Sequence, residues 1–89
     1  MGRVQDQIAV VTGAAKGLGE AISYRLSQDG ARLILADIDE PGLATTASKI
    51  REAGGEVVTF VGDITEEETA FRLIENAVEV FGQIDILVN

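Results

Sequence analysis

Two hydrophobic periods take turns along this chain. Ile8 to Thr12 (Ile-Ala-Val-Val-Thr) is a short, continuous apolar run rich in β-branched residues, the pattern of a strand buried on both faces. Leu18, Ile22 and Leu26 then recur every four residues with Ala21 beside them, which predicts a helix with one apolar face. Asp29-Gly30 closes that helix, and Arg32 to Ala36 reads as a second strand ending on Asp37. Asp39 or Glu40 can cap a second helix, with Pro41 in its first turn, where a missing N–H costs nothing. Leu43, Ala47 and Ile50 form the buried stripe of this helix, and Gly54-Gly55 stops it. Glu56 to Val61 is a third strand, and Gly62-Asp63-Ile64 turns the chain. Thr65 with Glu68 reads as a capping box for a third helix running to about Phe81. Phe71, Ile74, Val78 and Phe81 share one face of it, Gly82 closes it, and Ile84 to Val88 is a fourth strand.

The order is therefore βαβαβαβ with short connections. Strands alternating with helices in this way form a parallel sheet with right-handed crossovers. The expected fold class is α/β, a Rossmann-like parallel sheet in strand order 3-2-1-4, truncated after the fourth strand. Ligands of such sheets bind at the carboxyl ends of the strands, where the strand order reverses. Every candidate residue below lies at a strand's carboxyl end or in the turn just after it. Val88 would lie on an open sheet edge, which invites pairing with another chain, so a homo-oligomer is expected.

Composition narrows the chemistry. Eighty-nine residues make one small domain, 46% hydrophobic and 25% charged. A domain of this size buries only about 60–65% of its unfolded surface, so marginal stability is expected. The net charge of −8 argues against nucleic acid or an anionic membrane as a partner. With no cysteine and no histidine, disulfides, thiolate catalysis, His/Cys zinc sites and Ser-His-Asp triads are excluded, and no metal site is expected. Met1 to Gln7 has no apolar core of a signal peptide, and Asp6 stands where myristoylation at Gly2 would want Ser or Thr. No apolar run reaches the roughly 18 residues of a spanning helix, so a soluble, cytoplasmic protein is expected.

The chemistry this chain advertises is phosphate binding. Thr12 to Gly19 reads Thr-Gly-Ala-Ala-Lys-Gly-Leu-Gly, directly between the first strand and the first helix. Gly13 suits a tight exit from the strand, Gly17 a close approach of backbone to ligand, and Gly19 close packing of the helix. Free N–H groups at the helix start, assisted by the helix dipole, would then face a pyrophosphate. The bland alternative is an ordinary strand-to-helix turn.

The spacing is G-x-x-x-G-x-G rather than the commoner G-x-G-x-x-G. With Thr12 ahead of it, the turn resembles that of the short-chain dehydrogenase/reductase family, T-G-x-x-x-G-x-G. Lys16 stands where the extended members, including sugar-nucleotide epimerases, carry a middle glycine, so the chain looks like the shorter type. Three further stretches agree, in the right order: Asp37 after the second strand, Gly62-Asp63-Ile64-Thr65 after the third, and Ile84 to Asn89, which leads into the family's Asn-Asn-Ala-Gly motif. The resemblance covers essentially all 89 residues.

That resemblance implies residues 1–89 are the N-terminal dinucleotide-binding part of a single Rossmann-fold domain. It assigns cofactor contacts to Thr12, Gly13, Ala15, Lys16, Gly17, Leu18, Gly19, Asp37, Ile38, Asp63, Ile64 and Asn89. Asp37 would accept from the adenosine ribose hydroxyls, Asp63 from the adenine amino group, and the Ile64 backbone would donate to a ring nitrogen. For Asp37 and Asp63 the alternative is a turn or capping acid. A 2′-phosphate about 4 Å from Asp37 would be repelled by roughly 2–8 kcal/mol, whereas one solvated Lys16 offsets about 1 kcal/mol, so NAD is expected over NADP.

The family's reaction is hydride transfer between the dinucleotide and an alcohol or ketone. Its asparagine, serine and Tyr-x-x-x-Lys pair lie beyond Asn89. The one tyrosine here, Tyr24, has Gln28 four residues on, so it reads as a surface or interface residue and no catalytic residue is assigned. A stand-alone adenine-dinucleotide-binding module and a non-catalytic truncated fragment are the alternatives to the N-terminal part of an oxidoreductase.

Overall fold

The structure, a computed structural model, describes residues 4–89; the myristoylation reading at Gly2 lies outside them. Four strands alternate with three helices: β1 (Ile8–Thr12), α1 (Gly17–Gln28), β2 (Arg32–Asp37), α2 (Glu40–Glu52), β3 (Val57–Val61), α3 (Glu67–Phe81) and β4 (Ile86–Val88). All neighbouring strands pair in parallel, in the order β3-β2-β1-β4. The expected α/β, Rossmann-like architecture is the observed one.

The register aligns the chemistry. Thr12 lies opposite Ala36, Asp37 opposite Val61, and Val11 opposite Val88, so all four strands finish at the same end of the sheet. The central strands are buried on both faces, as continuous apolar runs require. Ala9, Val11, Leu33 and Leu35 point to one face and pack with Leu43, Ala47 and Ile50 of α2. Val10, Ile34 and Ala36 point to the other and pack with Leu73 and Ala77 of α3. The strand period of two thus feeds two separate core layers.

The predicted stripe of α2 is the buried one, and Asp39 is its N-cap, accepting from the Gly42 amide at 3.1 Å. In α1 the packing face differs from the expected one. Leu18 is 77% exposed, Ala21 is exposed and Ile22 only half-buried, whereas Ser23 is the fully buried residue. The helix approaches the strand-to-helix turn along two small residues, Gly19 and Ser23, one turn apart. Ser23 satisfies its buried hydroxyl by donating to the Gly19 carbonyl at 2.7 Å.

In α3 the buried residues are Thr69, Leu73 and Ala77. Phe71 is 68% exposed and Val78 is also exposed, while Ile74 and Phe81 are half-buried. The helix carries a wider apolar band than its seat needs, and Leu73 with Ala77 faces the sheet. The expected capping box does not form either. Helix α3 starts at Glu67 with Glu66 as N-cap, because Asp63 has already recruited Thr65: its Oδ1 accepts from the Thr65 amide at 3.0 Å and from the hydroxyl at 2.6 Å.

At the opposite end of the sheet, Asp85 ties β4 to β1 twice. Its amide donates to the Ile8 carbonyl at 2.9 Å, and its carboxylate accepts from the Ile8 amide at 2.8 Å. Nearby, the Arg32 guanidinium lies 5.3 Å over the Phe81 ring, joining β2 to the end of α3.

Candidate dinucleotide site

The turn between β1 and α1 has the geometry that its glycines suggest. Gly13 and Gly17 have φ values of +66° and +61°, a region that side chains disfavour. Gly19 has an ordinary φ, but a Cβ there would collide with the Gly13 carbonyl. Lys16, the N-cap of α1, is extended, and no side chain caps the helix. Among the described residues the first amides of α1 thus meet no side-chain cap, the standard circumstance for anion binding.

The turn is anchored from behind. The Ala14 amide donates to the Ala36 carbonyl at 3.2 Å, and the Ala15 amide to Asp37 Oδ2 at 2.9 Å. The other Asp37 oxygen accepts from the Asp39 amide at 2.9 Å. Asp37 therefore does act as a turn acid, yet each oxygen keeps a second lone pair for an incoming hydroxyl. Thr12 donates its hydroxyl toward the Val88 carbonyl at 3.2 Å, with Asn89 Oδ1 at 3.4 Å, which ties the ends of β1 and β4 together.

A cleft of about 290 Å³ opens at this end of the sheet, lined by Thr12, Gly13, Asp37, Ile38, Asp63, Ile64 and Asn89. The fold thus brings together residues from the ends of all four strands. Ile38 is 68% exposed beside it. Ala15, Lys16, Gly17, Leu18 and Gly19 do not line this cleft; they form the adjoining turn, where Lys16 and Leu18 are open to solvent. The Asp63 carboxyl is held below its ordinary pKa, first by the Thr65 hydroxyl and then by the Thr65 amide.

A slightly larger groove, about 320 Å³, runs between α1 and α2 past Tyr24, Gln28 and Lys49. It contains none of the strand-end residues. Tyr24 is half-buried there, and its hydroxyl donates to Glu20 at 2.6 Å. Burial first, and then Glu20, raise the pKa of Tyr24, the opposite of what a phenolic proton donor tuned for neutral pH requires. Among the described residues, no group of three His, Cys, Asp or Glu side chains is placed to hold a metal ion. No helix among them is long and apolar enough to cross a membrane.

Sequence reasoning missed the outer support of the turn. The Thr46 hydroxyl, buried on α2, donates to the Ala14 carbonyl at 3.1 Å. At Gly42 a Cβ would come within 3.0 Å of the Ala15 methyl. The available signal was a threonine interrupting the apolar stripe between Leu43 and Ala47.

A parallel sheet in this order, with a glycine turn entering a helix and an acid ending the second strand, defines an α/β nucleotide-binding domain. A family model for short chain dehydrogenases matches residues 7–89, and the chain belongs to that family. It is 43% identical over its whole length to an uncharacterised oxidoreductase of Staphylococcus saprophyticus, of which it covers 38%. It is 40% identical, over 94% of its length, to a diacetyl reductase [(S)-acetoin forming] of Staphylococcus epidermidis, of which it covers 33%. Among solved structures it resembles a short chain dehydrogenase/reductase of Burkholderia phymatum in complex with NAD. That match has a TM-score of 0.92 at 36% identity, covering 98% of this chain and 31% of the other. The chain thus spans about a third of the length of the relatives it matches, and corresponds to their N-terminal portion.

Proposed function

We propose that residues 1–89 form the NAD-binding part of a single Rossmann-fold domain, in an enzyme that moves a hydride between NAD(H) and an alcohol or ketone. The observation that carries this reading is the position of Asp37. Its carboxylate stands at the end of β2, beside the phosphate turn and in the wall of the cleft, with a lone pair free on each oxygen. On this reading the start of α1, from Lys16 to Gly19, receives the pyrophosphate, with Thr12, Gly13 and Ala15 shaping the turn. Asp37 and Ile38 meet the adenosine ribose, Asp63 and Ile64 meet the adenine, and Asn89 borders the cofactor. Asp37 repels a 2′-phosphate, and the single exposed Lys16 is too weak to offset it, which favours NAD over NADP. On this reading the protein is a homo-oligomer of the cytoplasm.

Calorimetry with NAD, NADP and ADP-ribose tests the reading. NAD and ADP-ribose should bind at least tenfold tighter than NADP, a conservative share of the repulsion expected at Asp37. Asp37→Ala should erase that preference. Equal affinities for the two dinucleotides, unchanged by Asp37→Ala, would overturn the assignment.

The same reading leaves residues 1–89 without a catalytic acid, since Tyr24 is engaged with Glu20 in the α1–α2 groove. NAD reduction by the purified chain, in the presence of secondary alcohols, should stay at background. Measurable turnover would show that the catalytic assignment is incomplete.

A further inference from the structure

We propose that Thr46 is a positioning residue for the phosphate turn, an inference that rests on the dinucleotide-binding reading above. The Ala14 carbonyl and the Ala15 amide belong to the same peptide group. Its oxygen end accepts from the Thr46 hydroxyl at 3.1 Å, and its N–H end donates to Asp37 Oδ2 at 2.9 Å. One planar unit is therefore gripped at both ends by side chains from two different elements, α2 and β2. Rotating this peptide would break both bonds at once.

The grip falls at a sensitive place. This peptide lies between Gly13 and Gly17, two residues whose positive φ values make the turn intrinsically permissive. Glycine freedom alone would leave several directions open to the amides that follow. Holding the Ala14–Ala15 peptide selects one of them, so that the start of α1 is aimed before a ligand arrives.

Thr46 is suited to this by its surroundings. It is fully buried, so water does not compete for its hydroxyl, and among the described residues it is the hydrogen-bonding partner of the Ala14 carbonyl. A threonine in a helix can satisfy itself locally, and Thr46 has that option in the Gly42 carbonyl at 3.3 Å. Tyr24 also neighbours this side chain, and of the two carbonyl contacts the shorter goes to the turn. The close approach at Gly42 brings α2 near enough for it. Asp37 is then both ribose acceptor and half of the clamp, so the phosphate and ribose subsites are coupled through a single peptide.

Thr46→Val removes the hydroxyl and keeps the shape. We expect amide hydrogen exchange at Ala15 in the ligand-free chain to quicken by about three- to tenfold, the span of one lost hydrogen bond, with Val11 and Leu35 unchanged. The affinity for ADP-ribose should fall by a similar factor, and Thr46→Ser should restore both. Should the Thr46→Val chain be unfolded, Thr46→Ala carries the same test. Unchanged exchange at Ala15 overturns the clamp, as does a uniform quickening that includes Val11 and Leu35. Faster exchange at Ala15 with unaltered ADP-ribose affinity overturns the positioning role. If the unsubstituted chain does not bind ADP-ribose, the dinucleotide reading fails by itself, and exchange at Ala15 alone decides whether the clamp exists.

Discussion

The two sides of β1 are held in different ways. Toward β2 and α2, the strand ends in a turn cross-tied by Ala36, Asp37 and Thr46, over a core whose side chains are almost all fully buried. Toward β4 and α3, the partner strand has three paired residues, and Leu87, Phe71 and Val78 face solvent. Hydrogen bonds tie both sides, through Asp37 and Thr46 on the first and Asp85 and Thr12 on the second, but the first rests on the larger buried core. The turn after β1 is therefore cross-tied more heavily than the three-residue pairing with β4.

Substitutions in α3 should give the largest contrast. Leu73→Ala empties a site in the layer beneath Val10 and Ile34, and should cost about 2–5 kcal/mol in urea unfolding. Phe71→Ser, only two residues away, should change stability by no more than about 0.5 kcal/mol. A larger loss at Phe71 than at Leu73 would mean that α3 sits on the sheet by its other face. On the tightly held side, Gly19→Ala drives a methyl group into the Gly13 carbonyl and should cost about 1–3 kcal/mol, with ADP-ribose binding lost in parallel. A stable Gly19→Ala chain with full affinity would show that the turn yields more than its cross-ties suggest.

The smallest effect concerns Asp63, which belongs to neither set of ties. Its folded pKa is lowered, so the folded state favours the carboxylate. The stability it contributes is present above the ordinary carboxyl value of about 3.9 and is lost as the pH falls through the lowered folded value. Carboxyl NMR should show Asp63 titrating below the ordinary range, and Thr65→Val should move it part of the way back. Titration at the ordinary value in both chains would remove Asp63 from any organised turn.

These differences also explain what could be read before the structure. Strands β1 and β2 were legible because a central parallel strand has to be apolar on both faces, and few other arrangements tolerate Ile-Ala-Val-Val. Helix α2 was legible because Leu43, Ala47 and Ile50 leave it one face to bury. The buried face of helix α1 was not, because it packs through Gly19 and Ser23, and a pattern built on large apolar residues passes over small ones. Helix α3 offered two overlapping stripes, and the choice between Phe71 and Leu73 depends on the far side of the sheet. Thr65 matched a capping box in sequence, but Asp63 competes for it two residues earlier. Of the site, the residues at strand ends were visible through their spacing. Thr46 was not, because its partner Ala14 lies 32 positions away and only the fold brings them together.

The double tie between Asp85 and Ile8 has a consequence for the order of assembly. The carboxylate bond joins residues 77 positions apart, whereas β1 meets β2 across a span of 24. A chain emerging from the ribosome can therefore pair β1 with β2 early, and must hold the other flank of β1 unpaired until the residues of β4 appear. Closing that long loop gains only three strand residues, so the side-chain bond from Asp85 supplies an extra rung where the entropy of closure is largest. The first strand to be synthesised is thus enclosed only once β4 appears, and until then its free edge is open to a chaperone or a wrong partner.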